Sequence, residues 1–479
     1  MVAVGNSFCE FSNDLWKRSW LPQVGQLPQA GADAPTGHAS RVHSETMAVT
    51  KLTNVSEANS GMQIKTILNR IQKHRGFVYG SARWSDQGRE LALEIDIYPH
   101  RRNRARCSGC GRRGPQYDRL EPRRFEFVPL WGIRVFFWYM MRRVDCVPCG
   151  GVHVERVPWA EGKHQLTTTY AWFLARWAKR LSWREVATVF HTSWDTVYRS
   201  VEMAVAWGRA HMDLTGIGAI GVDEIQWQHG HKYLTLVYQL DAGCRRLLWV
   251  GQDRTKKTLL KFFRWFGKER TQALRFVCSD MWKAYLTVVA KKAGHALHIL
   301  DRFHIAQQMN KAIDQVRRTE VRELKQQGRP ALLTKARWVL LRRRKNRTAD
   351  DRSRVRDLLR HNLKAVRAML FREDFDPFWK YRSVHWAGQF LDRWCTEVMR
   401  SRIEPMKKVA RMLRGHRPLL MNWFRARGQI SAGAVEGLNN KAKLTTRKAY
   451  GFRSYHCLQI ALYHTLGDLP EPVVTHRFC

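Results

Sequence analysis

Two aspartates stand at the ends of short apolar stretches that have the pattern of buried strands. Asp223 follows residues 218–222, and Asp280 follows the apolar run 276–278. Carboxylates at neighbouring strand ends can hold a divalent cation between them, and phosphoryl transfer often uses two such ions about 3.5–4 Å apart. Each aspartate alone is more often structural, and Glu224 is expected on the opposite strand face. We therefore treat Asp223 and Asp280 as a candidate metal-binding pair.

A third acid lies in a distant segment with helical periodicity. Four polar residues recur there at steps of four, three and four, which places them on one helical face: Glu436, Asn440, Lys443 and Arg447. This stripe offers a metal-binding carboxylate and cations that can contact DNA phosphates. Such spacing usually means an exposed, salt-bridged face. The apolar residues around Glu436 favour the metal-binding interpretation.

Four cysteines form two Cys-x-x-Cys pairs separated by 35 residues: Cys107, Cys110, Cys146 and Cys149. Each pair can present two thiolates from a tight turn to a tetrahedral ion, for which zinc is the natural choice. The alternative is four free buried thiols, and His153 is a less favoured substitute ligand. The sheet-like residues 124–142 between the pairs are expected to form the body of this zinc module.

Residues 182–205 have the spacing of a helix-turn-helix motif. Ser182 and Glu185 form a capping-box pattern, with Val186, Val189 and Phe190 expected inward. Ser193 is the predicted N-cap of a second helix whose inward residues are Val197, Val201 and Val205. The residues left to approach a DNA groove are Asp195, Thr196, Arg199 and Ser200. An ordinary pair of packed helices remains the alternative interpretation.

The elements that position these residues belong to a strongly basic chain. Among 479 residues, 83 are Lys or Arg and 41 are Asp or Glu, giving a formal charge of +42. Such charge predicts association with polyanions, of which nucleic acid is the commonest. The 44% hydrophobic content supports sizeable cores and excludes collagen-like and wholly disordered classes. The longest purely apolar run, residues 135–141, is far shorter than the roughly 18 residues of a membrane span.

The coarse pattern of elements changes along the chain. Residues 1–60 carry a net charge of −1 without sustained periodicity, which is typical of disorder. Beyond residue 216, three successive strands, a helix, a strand, a helix and a strand predict an α/β fold with a mixed sheet. Residues 311–372 have a helical pattern with 20 Lys or Arg against 6 Asp or Glu. We interpret them as part of an independently folded helical insertion.

These motifs together resemble one protein family. The segments that carry the likeness are 221–224 (Gly-Val-Asp-Glu), 278–280 (Cys-Ser-Asp), 301–304 (Asp-Arg-Phe-His), 435–441 (Val-Glu-Gly-Leu-Asn-Asn-Lys) and 450–452 (Tyr-Gly-Phe), with the upstream cysteine pairs. From about residue 62 to the C-terminus, they resemble the ISL3 family of bacterial insertion-sequence transposases. The resemblance implies a ribonuclease-H-like domain with an Asp-Asp-Glu triad on Asp223, Asp280 and Glu436. It also implies an accessory role at the cleavage site for Asp301 and His304.

The resemblance and the motifs predict five regions. Residues 1–61 are a disordered or non-native extension, 62–160 a zinc-binding module, 161–212 a helix-turn-helix DNA-binding domain, 213–310 with 431–479 the ribonuclease-H-like catalytic domain, and 311–430 a basic all-helical insertion. The extension matches nothing in the family pattern.

The predicted function is a DNA transposase that cuts the ends of its own insertion sequence and transfers the strands into target DNA. Its expected cofactors are two Mg²⁺ (or Mn²⁺) ions at the triad and one structural Zn²⁺. We expect a homodimer or higher oligomer on double-stranded DNA, carrying terminal inverted repeats and target, in the bacterial cytoplasm at the nucleoid and without a membrane. A catalytically inactive DNA-binding regulator derived from such an enzyme is the alternative. An RNA-binding scaffold is disfavoured because no stacking-sheet signature is present.

Overall fold

The computed structural model of the chain describes residues 63–86, 91–228, 230–329, 332–430, 433–449 and 451–473. The predicted N-terminal extension, residues 1–61, lies outside these ranges. No helix within them is both long enough and apolar enough to cross a membrane.

The first folded region is a five-stranded sheet preceded by a short helix. Its elements are α1 (Ile64–Ile71), β1 (Phe77–Ser85), β2 (Ala92–Pro99), β3 (Gln116–Leu130), β4 (Ile133–Cys146) and β5 (Gly151–Val154). The strand order is β1-β2-β4-β3, with β5 paired to β4. Leu93, Ile95 and Ile97 of β2 are buried, as are Ala92 and Glu94 between them, whereas Leu91, which precedes the strand, is exposed.

A two-residue turn joins β3 to β4. Trp131 and Gly132 have φ angles of 50° and 80°, the positive values that a type I′ hairpin turn needs at both positions. The resulting hairpin is long and antiparallel, and it fills the interval between the two cysteine pairs. A sheet-like body was expected there.

Three helices follow: α2 (Thr168–Ala178), α3 (Trp183–Val189) and α4 (Trp194–Ala210). Both hydrogen bonds of the predicted capping box form at the start of α3, and Ser193 accepts a hydrogen bond from the Thr196 N–H at the start of α4. These caps fix where α3 and α4 begin. The inward residues predicted for α4 are buried, namely Val197, Val201 and Val205.

The prediction that Val189 points inward is wrong, because its side chain is 54% exposed. Helix α3 has only two turns and packs through Val186 and Ala187, with Phe190 partly buried against the same core. The centre of the buried face therefore lies between these residues, and Val189 is rotated away from it.

A second sheet forms the centre of the described chain. Its elements and their helices are β6 (Ala219–Gln228), β7 (Lys232–Gln239), β8 (Arg246–Gln252), α5 (Lys256–Phe266), α6 (Lys268–Ala273), β9 (Phe276–Ser279), α7 (Lys283–Lys292) and β10 (Leu297–Leu300). The strand order is β10-β9-β6-β7-β8. Strands β10, β9 and β6 are parallel, whereas β6, β7 and β8 are antiparallel. The predicted mixed α/β sheet is confirmed.

A basic helical region follows β10. Its helices are α8 (Arg302–Gln326), α9 (Arg337–Leu341), α10 (Ala349–Leu359), α11 (Lys364–Phe375), α12 (Val384–Arg400), α13 (Glu404–Gly415) and α14 (Arg417–Arg425). They enclose a core of their own around the fully buried Ile313, Met369 and Leu391. The boundary expected between residues 310 and 311 falls inside α8, so the helical region begins at Arg302.

The chain then returns to the second sheet with α15 (Gly433–Lys448) and α16 (Tyr455–Leu466). Helix α15 packs on β6, and α16 packs on β8. The opposite face of the sheet is covered by α5 and α7 through residues such as Phe262 and Val288. With both faces covered, the sheet positions residues at its strand ends, which are the open part of such a layer.

A buried ion pair holds the first sheet together. The Glu155 carboxylate accepts hydrogen bonds from the Tyr139 hydroxyl at 2.6 Å, from the Arg142 backbone N–H at 2.7 Å and from the Arg142 guanidinium at 2.7–3.1 Å. Arg142 and Glu155 are 5% and 3% exposed. Removing one partner would therefore leave the other charge buried without compensation.

We predict that Glu155→Ala lowers the free energy of unfolding by about 3–5 kcal/mol, measured by chemical denaturation. Asp118→Ala is the matched control, because Asp118 pairs with Arg143 on the exposed edge of the same sheet, where an ion pair contributes little. Equal losses of stability in the two variants would contradict the special role of the buried pair.

Candidate functional site

The four cysteines of the first sheet converge. The Sγ atoms of Cys107 and Cys149 are 3.8 Å apart, and those of Cys110 and Cys146 are 3.4 Å apart. All four Sγ atoms lie within 4.8 Å of one another. A tetrahedral zinc ion with Zn–S bonds of about 2.3 Å separates its sulfurs by roughly 3.8 Å. The cluster therefore fits one zinc ion, and His153 is not part of it.

The local backbone prepares this cluster for a cation. The backbone N–H groups of Cys110 and Gly109 hydrogen-bond the Cys107 sulfur and lower the pKa of its thiol to about 6, with the Cys110 contribution the larger. The thiolate is the form that binds metal. On the other side, Gly150 with a φ of 69° ends the turn that carries Cys146 and Cys149.

The helix-turn-helix candidates are only partly available to DNA. Arg199 is exposed, but its Nε lies 2.8 Å from the Asp195 carboxylate on the same helix. Thr196 is half-buried, and its hydroxyl contacts the Ser193 hydroxyl at 2.8 Å. The prediction that Ser200 is free to approach a groove is wrong, because it is 2% exposed and its hydroxyl donates to the Thr196 carbonyl.

Asp223 and Asp280 lie on neighbouring strands. The expectation that Asp223 ends its strand is wrong, because β6 continues to Gln228, whereas Asp280 directly follows β9. Strands β6 and β9 are adjacent and parallel, and their pairing extends to Gly221 opposite Cys278. Asp223 and Asp280 each lie two residues beyond that pair. Asp223 is 8% exposed, and Asp280 is half-buried. Their carboxylates therefore share one partly desolvated end of the sheet.

Burial makes both carboxylates hard to ionise. Burial raises the pKa of Asp223, and so do the carboxylates of Asp280 and Asp301, whereas His304 and the Glu224 backbone N–H lower it. The resulting pKa is about 6, against an ordinary value of 3.8. Burial likewise raises the pKa of Asp280. A cation at this position would favour the charged forms of both groups.

One protonated histidine already supplies part of that positive charge. The His304 Nδ1 hydrogen-bonds the Asp301 carboxylate at 2.9 Å, at the start of α8. This bond, together with the charges of Asp223 and Asp280, raises the pKa of His304 to about 9. His304 is therefore an imidazolium at neutral pH, and it is attracted by the charges of Asp223 and Asp280.

Helix α15 reaches the site through Asn439. Its side-chain amide donates to Asp223 Oδ2 at 2.5 Å, and its carbonyl oxygen accepts from the Tyr238 hydroxyl at 2.7 Å. Asn439 and Tyr238 are 6% and 0% exposed. Asp223 is thus fixed by a buried chain of hydrogen bonds that joins α15 to β6 and β7.

The predicted stripe on α15 lies on its outer face. Its four members are all exposed: Glu436, Asn440, Lys443 and Arg447. Within the described part of the chain, the four cysteines are the set of three or more metal-ligand side chains whose ligand atoms all lie within 4.8 Å. The carboxylate oxygens of Asp223, Asp280 and Glu436 are farther apart than that.

Two residues at this edge of the sheet were not predicted as site residues. Asn439 lies on the buried face with Val435 and Leu438, so the apolar periodicity of α15 was the signal that could have identified it. Glu224 faces the α7 side of the sheet, as strand alternation predicts. Burial, followed by the charges of Asp280 and Asp223, nevertheless raises the pKa of Glu224 to about 7.

Comparisons with known proteins agree on one family. A family model described as Transposase, of the ISL3 DDE type, matches residues 220–462. The transposase for insertion sequence element IS1001 of Bordetella parapertussis is 29% identical over 350 residues, which cover 72% of this chain and 85% of the relative. The transposase for insertion sequence element IS1557 of Mycobacterium tuberculosis is 28% identical over 402 residues, covering 76% of this chain and 86% of the relative.

We predict that the purified protein contains one zinc ion per chain, measured by elemental analysis. Cys107→Ser should lose the ion and melt at a lower temperature, because structural zinc contributes folding free energy directly. Cys244→Ser is the control, since Cys244 is a free cysteine outside the cluster. A zinc-free protein whose Cys107→Ser variant melts at the same temperature as the parent would contradict the zinc centre.

Proposed function

The chain belongs to the ISL3 family of insertion-sequence transposases, and from that membership we propose that it cuts DNA at the ends of its own element and joins the freed strands to target DNA. The observation that carries this proposal is the desolvated carboxylate pair, Asp223 and Asp280, in a chain of net charge +42. A protein that only bound DNA would gain nothing from anions held near phosphates. This argument favours an active enzyme over an inactive regulator.

We assign Asp223, Asp280 and Glu436 to hold two Mg²⁺ or Mn²⁺ ions. Hard divalent cations prefer carboxylate oxygens, and burial raises the pKa of both aspartates, whereas Glu436 is exposed and would have to turn toward them to complete the set. Glu436 precedes Asn439 by three residues, so its side chain starts about 5–6 Å from a residue that touches Asp223. When bound, such ions polarise the phosphate and lower the pKa of the attacking water or 3′-hydroxyl.

The surrounding residues orient the ligands. Asp223 Oδ1 accepts from the Glu224 backbone N–H at 2.8 Å, and Oδ2 accepts from Asn439, so each oxygen keeps a second lone pair for a cation. The Trp282 backbone N–H fixes Asp280 Oδ1 in the same way, at 3.0 Å. With Nδ1 engaged by Asp301, the His304 Nε2–H is the donor available to a DNA phosphate.

We propose the ribonuclease-H-like fold for residues 213–310 with 431–479. The order β10-β9-β6-β7-β8, with three antiparallel strands leading into parallel ones, supports this assignment. We keep residues 62–160 as the zinc-binding module, 161–212 as the helix-turn-helix domain, and the helices up to residue 430 as the insertion, moving its start to Arg302.

Double-stranded DNA is the proposed partner, as terminal inverted repeats and as target. Arg199 and Thr196 are assigned to base recognition, and Arg199 must exchange Asp195 for a base edge when it binds. The exposed stripe residues Asn440, Lys443 and Arg447 are assigned to phosphates. A homodimer or higher oligomer on DNA, in the bacterial cytoplasm at the nucleoid, completes the proposal.

We expect Asp223→Ala, Asp280→Ala and Glu436→Ala each to abolish strand cleavage, by about 10⁴-fold or more, because each removes a ligand of the same metal site. Each single variant should be nearly as severe as the triple, since residues that act as one unit are strongly non-additive. End binding should persist or tighten slightly as negative charge near phosphate is removed. The measurement is cleavage of labelled element ends with magnesium and then with chelator. Glu404→Ala is the control, since Glu404 is an exposed helical acid paired with Arg411.

Two results would count against this assignment. Near-normal cutting by Glu436→Ala with loss of cutting in Glu404→Ala would show that the third ligand is wrong. Cleavage by all three variants, at Asp223, Asp280 and Glu436, would contradict the proposed transposase mechanism.

The division of DNA contacts has a separate test in competition binding. Arg199→Ala should reduce discrimination between element ends and random DNA by about 1–3 kcal/mol, as expected for a base contact. Arg343→Ala, on the exposed surface of the helical region, should weaken binding to all DNA equally and flatten its salt dependence. Equal losses on both DNAs for Arg199→Ala would refute a base-reading role.

A further inference from the structure

Arg254 lies in the short connection between β8 and α5, held by an unusual backbone. The residue before it, Asp253, has a φ of 69°, which is uncommon for a residue other than glycine. The Asp253 N–H donates to the Tyr233 carbonyl at 2.8 Å, and its own carbonyl accepts from the buried Thr235 hydroxyl at 2.6 Å. Hydrogen bonds on both sides therefore maintain a sparsely populated conformation that fixes where Arg254 begins.

The guanidinium of Arg254 lies near Asp280, between two aromatic rings. Its Cζ lies 4.0 Å from the ring centroid of Tyr233 and 5.0 Å from that of Trp282. Both distances are within the range of cation–π attraction. Its positive charge lowers the pKa of Asp280 and of Glu224, against the opposing effect of burial. Trp282 is itself positioned by Asp280, which accepts its backbone N–H.

Neutralising Glu224 does not account for this arrangement. The contact from Arg254 Nη1 to Glu224 Oε1 is 3.4 Å, longer than the roughly 2.7–2.9 Å of a charge-assisted hydrogen bond. The second oxygen of Glu224 is buried without a hydrogen-bond partner among the described residues. A guanidinium has five N–H donors, and the Arg254 side chain is 34% exposed. Among the described residues, the Glu224 contact is the hydrogen bond that the Arg254 guanidinium makes, so its other N–H donors are available to a ligand.

We propose that Arg254 is a further catalytic residue, whose guanidinium binds a non-bridging oxygen of the phosphodiester being cut. The inference rests on the proposed function. The two aromatic rings hold the planar cation in place, and the free N–H donors match the geometry of a phosphate. The charge that develops on the phosphate during displacement then meets a donor already in position.

The first experiment is single-turnover cleavage of a pre-bound element end in magnesium. R254Q should cleave about 10²–10³-fold more slowly, the usual effect of removing one donor to transition-state charge. End binding in chelator should change little, since the contact is strongest in the transition state. The cleavage rate of R254K should lie between those of the parent and R254Q, because lysine keeps the positive charge and loses the two-pronged hydrogen bonding of a guanidinium. R264Q, which removes an exposed arginine of α5, is the matched control.

The counter-ion explanation is tested by replacing both partners. If Arg254 only neutralised Glu224, the E224Q/R254Q variant would cleave as fast as E224Q. We expect the loss of Arg254 to cost the same factor in the E224Q background as in the parent. Disappearance of that factor, or normal cleavage by R254Q, would overturn the proposal. A thermal melt of each variant separates these results from misfolding, and R254K replaces R254Q if the latter does not fold.

If E224Q alone does not cleave, the role of Arg254 is tested by binding of element ends in calcium. The parent should bind an intact end more tightly than an end lacking the single phosphate at the cut site, and R254Q should show a smaller difference between the two ends. Equal discrimination by both proteins would overturn the role of Arg254. Failure of the parent protein to cleave its ends in magnesium would instead contradict the proposed function. The single-turnover cleavage assay of the parent tests that point separately from the role of Arg254.

Discussion

The contact between α15 and β6 is the constraint on which the geometry of the carboxylate site depends. Asn439 joins the helix to Asp223 on one strand and to Tyr238 on the next. This contact needs a close approach of helix and sheet, and Gly221 permits it. A Cβ at Gly221 would lie 2.6 Å from Val435 Cγ2 and 2.9 Å from Leu240 Cδ1, closer than side chains tolerate. A larger residue at Gly221 would push α15 away and release Asp223.

The helical region between the two partners explains how they meet across 216 residues of sequence. It starts at Asp301, which caps α8, and it ends with α14 packed on β10. The Asn422 side-chain amide donates to the His298 carbonyl at 2.9 Å, which ties α14 to that strand. The helices share one hydrophobic core, which Leu300 of β10 joins, so both ends of the region stay at the sheet. The return of α15 to β6 follows from that anchoring.

The site and the surface have opposite electrostatic demands. The net charge of +42 attracts DNA. The desolvated carboxylates of Asp223 and Asp280, in contrast, repel its phosphates. Raising the pKa of Asp223 from 3.8 to about 6 corresponds to roughly 3 kcal/mol against its ionised form. This cost would be larger without the imidazolium of His304, which lowers the pKa of Asp223. Such a site is less stable than an apolar one would be, and this is typical of functional sites.

The amino-acid sequence by itself determined the elements and their local chemistry. Short apolar runs, capping residues and Cys-x-x-Cys spacing act over a few residues, so the mixed sheet, the starts of α3 and α4 and the cysteine cluster could all be predicted. Only the tertiary structure decided which side of each element is used. Asn439 faces Asp223 while the Glu436 stripe faces solvent, and Ser200 is buried by its neighbours. Arg254 likewise reaches the carboxylate site through a turn whose conformation depends on Tyr233 and Thr235. The rotation of a helix about its axis, and the path of a connection, are set by partners distant in sequence, which local periodicity does not encode.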